Sequence, residues 1–269
     1  MQIVTLLTDF GLEDEYVGVM KGAILSVNPS AKIVDISHAV NPQEIVQAAL
    51  MLEAAWPYFP PCTVHVAVVD PGVGSRRSIV AVRKSGHIFL APDNGVLTLV
   101  LSKGDIDEAV RVENTRFFLK PVSGTFHGRD VFAPVSGRLA SGRRLQDFGP
   151  PIDYRRLNSI SLPEVKQTRK EELSGSILTA DRFGNLITNI RLSDIEKLKG
   201  NREGKVLEIR LGKERIVGIG RCYSEVTSGE PVAVIGSRLY LEIAINCGNA
   251  LKHFGVKKGD PVQVVLRNV

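Results

Sequence analysis

The first 150 residues alternate between short runs of β-branched and leucine residues and longer segments with helical spacing of apolar residues. Ile3–Leu7, Lys32–Ile36 and Thr63–Val69 have the composition of strands, and the third is continuous enough to be buried on both faces. Tyr16–Val27 and Pro42–Ala55 have the apolar spacing of helices, the second with a proline in its first turn. This alternation predicts an α/β/α layered domain with a mostly parallel sheet.

The second half of the chain has a different pattern, in which many short strand-like runs are separated by glycine-rich turns. Such runs are typical of an antiparallel barrel, and one short helical segment, Leu192–Leu198, interrupts them. Residues from 148 to 168 contain three prolines and little periodicity, which indicates a linker. We therefore predict an N-terminal α/β domain over residues 1–150, a linker over 151–170 and a C-terminal antiparallel β-barrel domain over 171–269.

Composition and charge argue against several classes of protein. The chain of 269 residues is 43% hydrophobic, and no run of about 18 apolar residues predicts a membrane span. An apolar start without a basic leader argues against a signal peptide, so we expect a cytoplasmic location. The net charge of +5 comes from scattered basic pairs, which disfavours a nucleic-acid partner. Three separated cysteines favour reduced, mostly buried thiols over a disulfide or metal site.

Two polar motifs follow predicted strands, at the sheet edge where α/β proteins bind ligands. In TDFG at 8–11, Asp9 can accept hydrogen bonds from a ribose diol, although capping of a turn or helix explains it equally well. Asp70 begins DPGVG at 70–74, whose glycines permit close approach of a ligand, but which is not a P-loop. Arg77 lies beyond that turn and can fold back towards the Asp70 carboxylate. A purely structural turn is the alternative.

A third motif, FHGRD at 126–130, places His127 before the helix-like segment Val131–Leu139. A histidine at such a junction is a candidate for a site residue. His38, at the end of the second predicted strand, is an alternative for the same role. His65 lies inside a strand, and we expect it to be a hydrogen-bonded core residue.

The second half contains DRFGN at 181–185 and GSR at 236–238. A phenylalanine beside an asparagine can stack on a purine and read its edge, and an arginine suits a carboxylate. A β-turn followed by a strand accounts for either motif without a ligand. Each motif alone fits either a ligand site or a structural turn, so only the combination of motifs can distinguish the two.

Six motifs occur in order along essentially the whole chain: TDFG at 8–11, VVDPGVGSRR at 68–77, APDNG at 91–95, FHGRD at 126–130, DRFGNLITNI at 181–190 and GSRLYLEIAINCGNA at 236–250. In this combination the chain resembles the S-adenosyl-L-methionine (SAM) hydroxide adenosyltransferases. That family is also described as adenosine-forming SAM hydrolases and is related to the SAM-dependent fluorinase and chlorinase.

The resemblance implies an N-terminal α/β domain, a C-terminal β-barrel, and a homotrimer with active sites between neighbouring subunits. It implies hydrolysis of SAM to adenosine and L-methionine by attack of water or hydroxide at C5′, with SAM as substrate and no cofactor or metal. The implied catalytic cluster is Asp70, Arg77 and His127. The implied substrate-binding residues are Asp9 for the ribose, Phe183, Asn185 and the Cys247 backbone for adenine, and Asp14, Asp181, Ser237 and Arg238 for the methionine ammonium and carboxylate.

The residue at position 70 distinguishes the reactions of the related enzymes. The halogenases carry an uncharged residue there, whereas the Asp70 carboxylate would repel a halide and so favours water. We expect Asp70 to orient the water or take its proton, Arg77 to hold that carboxylate, and His127 to complete the hydrogen-bond cage. The alternatives are a SAM-dependent halogenase, a non-catalytic SAM or adenosine sensor, and an RNA-binding protein, which the dispersed charge disfavours.

Overall fold

The computed structural model describes residues 2–102, 104–200 and 204–268. The chain divides into two compact units, Met1–Ile160 and Ser161–Val269. The division falls inside the segment 151–170 that the sequence indicates as a linker. That segment nevertheless contains a short strand, Lys166–Arg169, whose four residues are all exposed. An exposed strand held by backbone hydrogen bonds has no apolar periodicity, so the sequence pattern did not reveal it.

The N-terminal unit is built on a six-stranded sheet. Its elements are β1 (Ile3–Thr8), α1 (Tyr16–Val27), β2 (Lys32–Ser37), α2 (Ile45–Ala55), β3 (Val64–Val68), β4 (Ile79–Lys84), β5 (His87–Pro92), α3 (Thr98–Leu101), β6 (Glu108–Arg111) and α4 (Ala133–Ala140). The strand order is β2-β1-β3-β5-β4-β6. The first four of these strands are parallel neighbours, and β4 is antiparallel to both β5 and β6. The predicted α/β domain with a mostly parallel sheet is confirmed.

Apolar side chains cover both faces of this sheet. β1 and β3 are buried along their whole length, as expected for strands between two helical layers. The neighbours Leu6 and Leu7 point to opposite faces. Leu6 belongs to the core that contains Met20 of α1, and Leu7 to the core that contains Leu52 of α2. Full burial of a side chain of this size stabilises the fold by roughly 1.5–3 kcal/mol.

Two predicted helices begin differently in the structure. The helix predicted over Pro42–Ala55 begins at Ile45, because Gln43 has a φ of 65° and this left-handed conformation cannot continue into a helix. The helix predicted over Val131–Leu139 is preceded and partly replaced by a π-helical turn, Gly128–Phe132. Single π-helical turns occur frequently at functional sites.

The C-terminal unit is an antiparallel sheet of eight strands. Its elements are β7 (Lys166–Arg169), β8 (Glu172–Ala180), β9 (Leu186–Arg191), α5 (Leu192–Lys199), β10 (Lys205–Leu211), β11 (Glu214–Val217), β12 (Pro231–Ile235), β13 (Tyr240–Ile245), α6 (Ala250–Phe254) and β14 (Pro261–Asn268). The order is β11-β10-β14-β8-β9-β13-β12, with β7 paired to β8. A bridge between Gly220, just after β11, and Val234 of β12 brings the two ends of this order together. The sheet therefore curls into a nearly closed barrel, as predicted.

The barrel interior follows from alternation along its strands. In β14 the residues Val262, Val264 and Leu266 are buried while their neighbours are partly or fully exposed. These three side chains join one apolar core with residues from the other strands. A period of two with one buried face is the pattern of a half-buried antiparallel strand.

The cysteines do not lie where the sequence analysis expects them. All three, Cys62, Cys222 and Cys247, are exposed free thiols. Cys62 and Cys247 have φ values of 67° and 54°, so both belong to turns rather than to core strands. No group of three or more histidine, cysteine, aspartate or glutamate side chains within the described ranges is arranged to hold a metal ion. No helix among those residues has the length and apolar character needed to cross a membrane.

Candidate active site

Asp70 and Arg77 form an ion pair just beyond the carboxyl end of β3. Arg77 Nε donates hydrogen bonds to Asp70 Oδ1 at 3.0 Å and to Oδ2 at 2.8 Å, and Arg77 Nη2 also donates to Oδ2. The Asp70 and Arg77 side chains are only 4% and 10% exposed. Charge-assisted hydrogen bonds of this kind hold a carboxylate in a fixed orientation, and burial protects them from screening.

The turn between these residues requires glycine. Gly74 has a φ of 76°, and a Cβ there would lie 2.1 Å from the backbone oxygen of Gly124. Only a residue without a side chain allows this approach. The DPGVG turn therefore packs directly against the loop that leads to His127. Asn94, from the APDNG motif, holds the other end by donating to the Val69 backbone oxygen at 2.8 Å.

His127 completes the cluster through Arg77 Nη2, which also donates to Asp70. Its Nδ1 lies 2.9 Å from Arg77 Nη2. Because a guanidinium can only donate, Nδ1 accepts and the ring proton is assigned to Nε2. Burial and the Arg77 charge lower the pKa of His127, while the Asp70 and Asp130 charges and a hydrogen bond with the Ser123 backbone oppose that shift. The imidazole is therefore neutral at neutral pH.

The loop that carries His127 is held by a buried carboxylate. Asp130 Oδ2 accepts a hydrogen bond from the Ser123 backbone at 2.7 Å, and Oδ1 accepts one from Arg129 Nε at 2.6 Å. Burial raises the pKa of Asp130, but the hydrogen bonds from Arg129 and Ser123 outweigh it and leave the pKa lowered. Asp130 is thus ionised, and its hydrogen bonds hold the loop around His127 in place.

A cavity of about 450 Å³ lies over this cluster, and Asp9, Asp70 and His127 all line it. Phe10 and Phe126 form part of its wall, with ring centroids 6.0 Å apart. Apolar walls with a few convergent polar groups are typical of small-molecule sites. Three residues from three separate motifs therefore face one cavity.

Gln43, whose left-handed conformation makes α2 begin at Ile45, also orients Asp9. The Gln43 backbone N–H donates to Asp9 Oδ2 at 2.8 Å, which the left-handed conformation of Gln43 makes possible. Among the described residues no donor reaches Asp9 Oδ1, so this oxygen is available to a ligand. Gln43 was not identified in the sequence, since a backbone donor leaves no residue-type signal.

The alternative candidate His38 and the expected core residue His65 both lie outside this cavity. His38 is buried and its Nδ1 lies 2.8 Å from Thr8 Oγ1, so it supports the end of β1. His65 is a core residue, as expected, with Nδ1 at 2.8 Å from Thr5 Oγ1 and Nε2 at 3.2 Å from His87 Nδ1. Burial and the neighbouring His87 lower the pKa of His65 to about 3.

A second, polar cavity of about 370 Å³ lies in the barrel unit and is lined by Asp181, Ser237 and Arg238. The Asp181 carboxylate accepts three hydrogen bonds within its own turn. Its Oδ1 accepts hydrogen bonds from the backbone N–H groups of Phe183 and Asn185, and its Oδ2 accepts one from Asn185 Nδ2, all at 2.9 Å. Asp181 therefore shapes the DRFGN turn in addition to facing the cavity.

The residues that the resemblance implies for adenine lie on two neighbouring turns. Phe183 is 75% exposed, and Cys247 is exposed in a left-handed conformation. A Cβ on Gly184 would lie 2.2 Å from the Asn249 side chain, so the two turns pack closely together and Asn185 is buried beside them. Asp14 is exposed in the segment before α1 and lines neither cavity.

Two residues of the barrel cavity were missed by sequence reasoning, Tyr223 and Glu242. Tyr223 Oη donates to Glu242 Oε2 at 2.9 Å. Glu242 has a detectable signal in the sequence, since it is the one charged residue in the otherwise apolar strand β13. Tyr223 has none, because it begins a short 3-10 helical turn, Tyr223–Glu225, that no apolar periodicity predicts.

Family models and individual known proteins both match this chain over most of its length. A family model described as the SAM hydroxide adenosyltransferase N-terminal domain matches residues 4–149, and the corresponding C-terminal domain matches residues 175–263. A protein of Thermus thermophilus named (R)-S-adenosyl-L-methionine hydrolase is 38% identical over 98% of this chain and 100% of its own length. A protein of the same name from Methanocaldococcus jannaschii is 36% identical over 98% of this chain and 96% of its own.

Fluorinases and solved structures also match. A fluorinase of Actinoplanes sp. is 28% identical over 97% of both chains, so it is more distant than the two hydrolases. A crystal structure of an uncharacterized conserved protein from Thermotoga maritima matches with a TM-score of 0.89 and 35% identity, covering 97% of this chain and 99% of that one.

Proposed function

The chain belongs to the SAM hydroxide adenosyltransferase family, and on that premise we propose that it hydrolyses SAM to adenosine and L-methionine. The observation that carries this proposal is the buried Asp70–Arg77 ion pair, bridged to His127 beneath a cavity that Asp9 also lines. The names of the relatives at 36% and 38% identity support the same reaction.

The chemistry of SAM determines what the protein has to supply. A water oxygen forms a bond to C5′, the C5′–S bond breaks with its electron pair going to sulfur, and methionine leaves as a neutral thioether. The water loses one proton, which passes to a base and then to solvent. The sulfonium is already a good leaving group, so the proposal requires no acid and no cofactor. Holding the water in line with the C5′–S bond can contribute roughly 7–11 kcal/mol.

Asp70 has the free acceptor capacity that this step needs. Its Oδ1 accepts only the 3.0 Å hydrogen bond from Arg77 Nε among the described residues, and a carboxylate oxygen has more than one acceptor site. A water that donates to Oδ1 directs its own lone pair away from the carboxylate. We assign Asp70 to orienting the water and accepting its proton.

Arg77 and His127 support that carboxylate. Arg77 uses Nε and Nη2 within the cluster, and its Nη1 has no hydrogen-bond partner in the described part of the chain. Arg77 does not line the cavity itself, so its role in this proposal is to hold and neutralise the Asp70 carboxylate. Because neutral His127 accepts from Nη2, it fixes the guanidinium without adding a second positive charge.

The same geometry disfavours a halide as the nucleophile. A halide has no proton to donate to Asp70 Oδ1, and it is repelled by the carboxylate at short range. Water satisfies both conditions. The fluorinase is less similar in sequence than the two hydrolases, which agrees with hydrolysis rather than halogenation as the reaction.

The proposal assigns the rest of the substrate to the residues already described. Asp9 binds the ribose hydroxyls through its free Oδ1, and Phe183, Asn185 and the Cys247 backbone surround the adenine. Asp14, Asp181, Ser237 and Arg238 bind the methionine end. We further propose a homotrimer in which each active site combines residues from two subunits, as the resemblance to the family implies.

Product analysis tests this function against its alternatives. The protein is incubated with SAM in a buffer containing both chloride and fluoride, and the nucleosides are separated by chromatography. We expect adenosine and L-methionine in equal amounts. A 5′-halo-5′-deoxyadenosine product would instead identify a halogenase, and tight SAM binding without any product would identify a sensor.

A further inference from the structure

The turn that carries Asp9 is held from behind by two buried residues, Thr8 and His38. Thr8 ends β1 and is fully buried, and His38 is 4% exposed. Neither residue lines the cavity, whereas Asp9 and Phe10 of the TDFG turn both do. Thr8 and His38 can therefore act on a ligand only through the turn that they support.

Two hydrogen bonds fix the backbone of this turn. The Phe10 N–H donates to Thr8 Oγ1 at 3.2 Å, and the Gly11 N–H donates to the His38 backbone oxygen at 2.8 Å. Gly11 has a φ of 70°, a left-handed conformation that glycine adopts without strain. The two N–H groups that follow Asp9 are thus both tied to Thr8 or His38.

The His38 ring connects Thr8 to a carboxylate on β2. Thr8 Oγ1 lies 2.8 Å from His38 Nδ1, and His38 Nε2 lies 3.1 Å from Asp35 Oδ1. An ionised carboxylate offers no proton, so the ring proton is assigned to Nε2, the nitrogen that faces it, and Nδ1 accepts from the Thr8 hydroxyl. The hydroxyl then donates to His38 and accepts from Phe10, which fixes its rotation.

Asp35 is ionised and holds the ring from the outer side. Burial raises the pKa of Asp35, but the neighbouring Lys21 and His38 outweigh burial and leave that pKa lowered. Lys21 Nζ donates to Asp35 Oδ2 at 2.6 Å. The Lys21 and Asp35 side chains are 34% and 37% exposed, so a series of polar contacts runs from a surface ion pair to the TDFG turn.

We propose that Thr8 and His38 are positioning residues for ribose binding, because the hydrogen bond between their side chains holds the TDFG turn in the conformation that directs Asp9 into the cavity. This inference rests on the proposed function and deepens it, since Asp9 is the residue assigned to the ribose hydroxyls. The Gln43 backbone fixes one carboxylate oxygen of Asp9. Thr8 and His38 fix the backbone that carries it.

The same strand provides a matched control. Thr5 is also fully buried in β1, and its Oγ1 likewise lies 2.8 Å from a histidine nitrogen, Nδ1 of His65. Neither Thr5 nor His65 lines the cavity. Valine at position 5 or at position 8 therefore removes the same kind of hydrogen bond from an equally buried place, but only the bond of Thr8 supports the TDFG turn.

The test compares nucleosides with and without the ribose diol. Calorimetry gives dissociation constants for adenosine and for 2′,3′-dideoxyadenosine, which lacks both hydroxyls. In Thr8→Val we expect the constant of adenosine to rise about 5- to 20-fold, part of the roughly 10- to 100-fold cost of losing a hydrogen bond to a charged group. The constant of the dideoxy analogue should change less than about twofold, because this ligand makes no hydrogen bond to Asp9.

Two further variants complete the comparison. Thr8→Ser keeps the hydroxyl and should restore adenosine binding, and Thr5→Val should change neither constant by more than about twofold. Equal weakening of both nucleosides in Thr8→Val, or the same change in Thr5→Val, would indicate a purely structural role and overturn the proposal. Unchanged adenosine binding in Thr8→Val would also overturn it.

A double variant checks that the effect passes through Asp9. In an Asp9→Ala background, Thr8→Val should change adenosine binding less than about twofold, because the side chain that it positions is absent. An undiminished effect of Thr8→Val in that background would contradict the proposal.

Should Thr8→Val not fold, Asp35→Ala tests the same contacts from their exposed end, with the exposed Asp105→Ala as control for the lost charge. We expect a rise of about two- to fivefold confined to adenosine, and no difference between the two nucleosides would overturn the proposal. Failure of the wild type to bind or cleave SAM contradicts the proposed function itself. Normal cleavage by the wild type, with no ribose-dependent difference in the variants, contradicts only the positioning role.

Discussion

The Nε–H group of Arg77 donates to both carboxylate oxygens of Asp70, at 3.0 Å and 2.8 Å, in a pair that is almost fully shielded from water. This relationship makes Asp70 the fixed acceptor for the attacking water. We predict that Asp70→Asn lowers kcat by about 10²- to 10⁴-fold, the usual contribution of a positioned proton acceptor. SAM binding should persist, because Asp70 contacts the nucleophile and not the substrate in this account.

Turnover and calorimetric SAM binding are measured on the same preparation of Asp70→Asn. The exposed Asp105, replaced by asparagine, provides a control for loss of one negative charge. Unchanged turnover in Asp70→Asn would refute the assigned role of the carboxylate.

The pH dependence of turnover should report on His127. Its pKa is lowered below the ordinary value of 6.5, so the ring stays neutral as the pH falls through 6.5 and becomes protonated only at lower pH. Protonation would place a second cation against Arg77 and break the hydrogen bond to Nδ1. We therefore predict that kcat falls towards acid pH with an inflection below 6.5. In His127→Asn, whose amide oxygen can replace Nδ1 as acceptor, this inflection should disappear.

His253 is an exposed histidine, and His253→Asn should keep the wild-type pH profile. An inflection that lies above 6.5, or one that persists in His127→Asn, would argue against the role of a neutral imidazole.

Sharing of the site between subunits predicts complementation. Asp70→Asn leaves the barrel cavity intact, and Arg238→Ala leaves the catalytic cluster intact. When the two variants are produced together in equal amounts, random assembly gives one site in four with both intact parts, so about a quarter of wild-type activity is expected. Activity no higher than that of the single variants would contradict the proposed trimer with shared sites.

Stability should depend on pH through the buried imidazole of His65. Its pKa is about 3 in the folded chain, against an ordinary value of 6.5. The unfolded chain therefore binds a proton below pH 6.5 that the folded chain does not, and stability falls as the pH decreases from 6.5 towards 3. One such histidine lowers the free energy of unfolding by roughly 2 kcal/mol at pH 5 relative to pH 7.

Urea unfolding at pH 5 and pH 7 measures this loss. His65→Gln should be destabilised at pH 7, where the ring packs in the core, yet lose less stability on acidification than the wild type. His253→Gln is the control and should follow the wild type. An identical loss in His65→Gln and wild type would show that other groups cause the pH dependence.

The apolar pattern of the sequence predicted those strands that are buried in the structure. β1 and β3 are buried on both faces, and their continuous apolar runs predicted them. The short exposed strand β7 has no such run, and backbone pairing alone holds it. The cysteines were misplaced for a related reason, since the positive φ of Cys62 and Cys247 comes from turn geometry that residue type does not indicate.

The sequence likewise predicted some residues of the site and not others. Strand-end position led to Asp9 and Asp70, and the junction between a loop and a predicted helix led to His127. The structure brings all three to one cavity. The resemblance selected Arg77, and the fold provides its contacts to Asp70 and His127. Glu242 could have been noticed as a charge within an apolar strand, but its partner Tyr223 is brought to it only by tertiary structure.

If water attacks C5′ of SAM, an oxygen atom from the solvent must appear at O5′ of the adenosine. The protein is incubated with SAM in oxygen-18 water containing chloride and fluoride, and the nucleoside product is analysed by mass spectrometry. We predict adenosine carrying one oxygen-18 atom at O5′ and no halogenated nucleoside. Adenosine without the label at O5′, or 5′-halo-5′-deoxyadenosine as the product, would show that water is not the nucleophile.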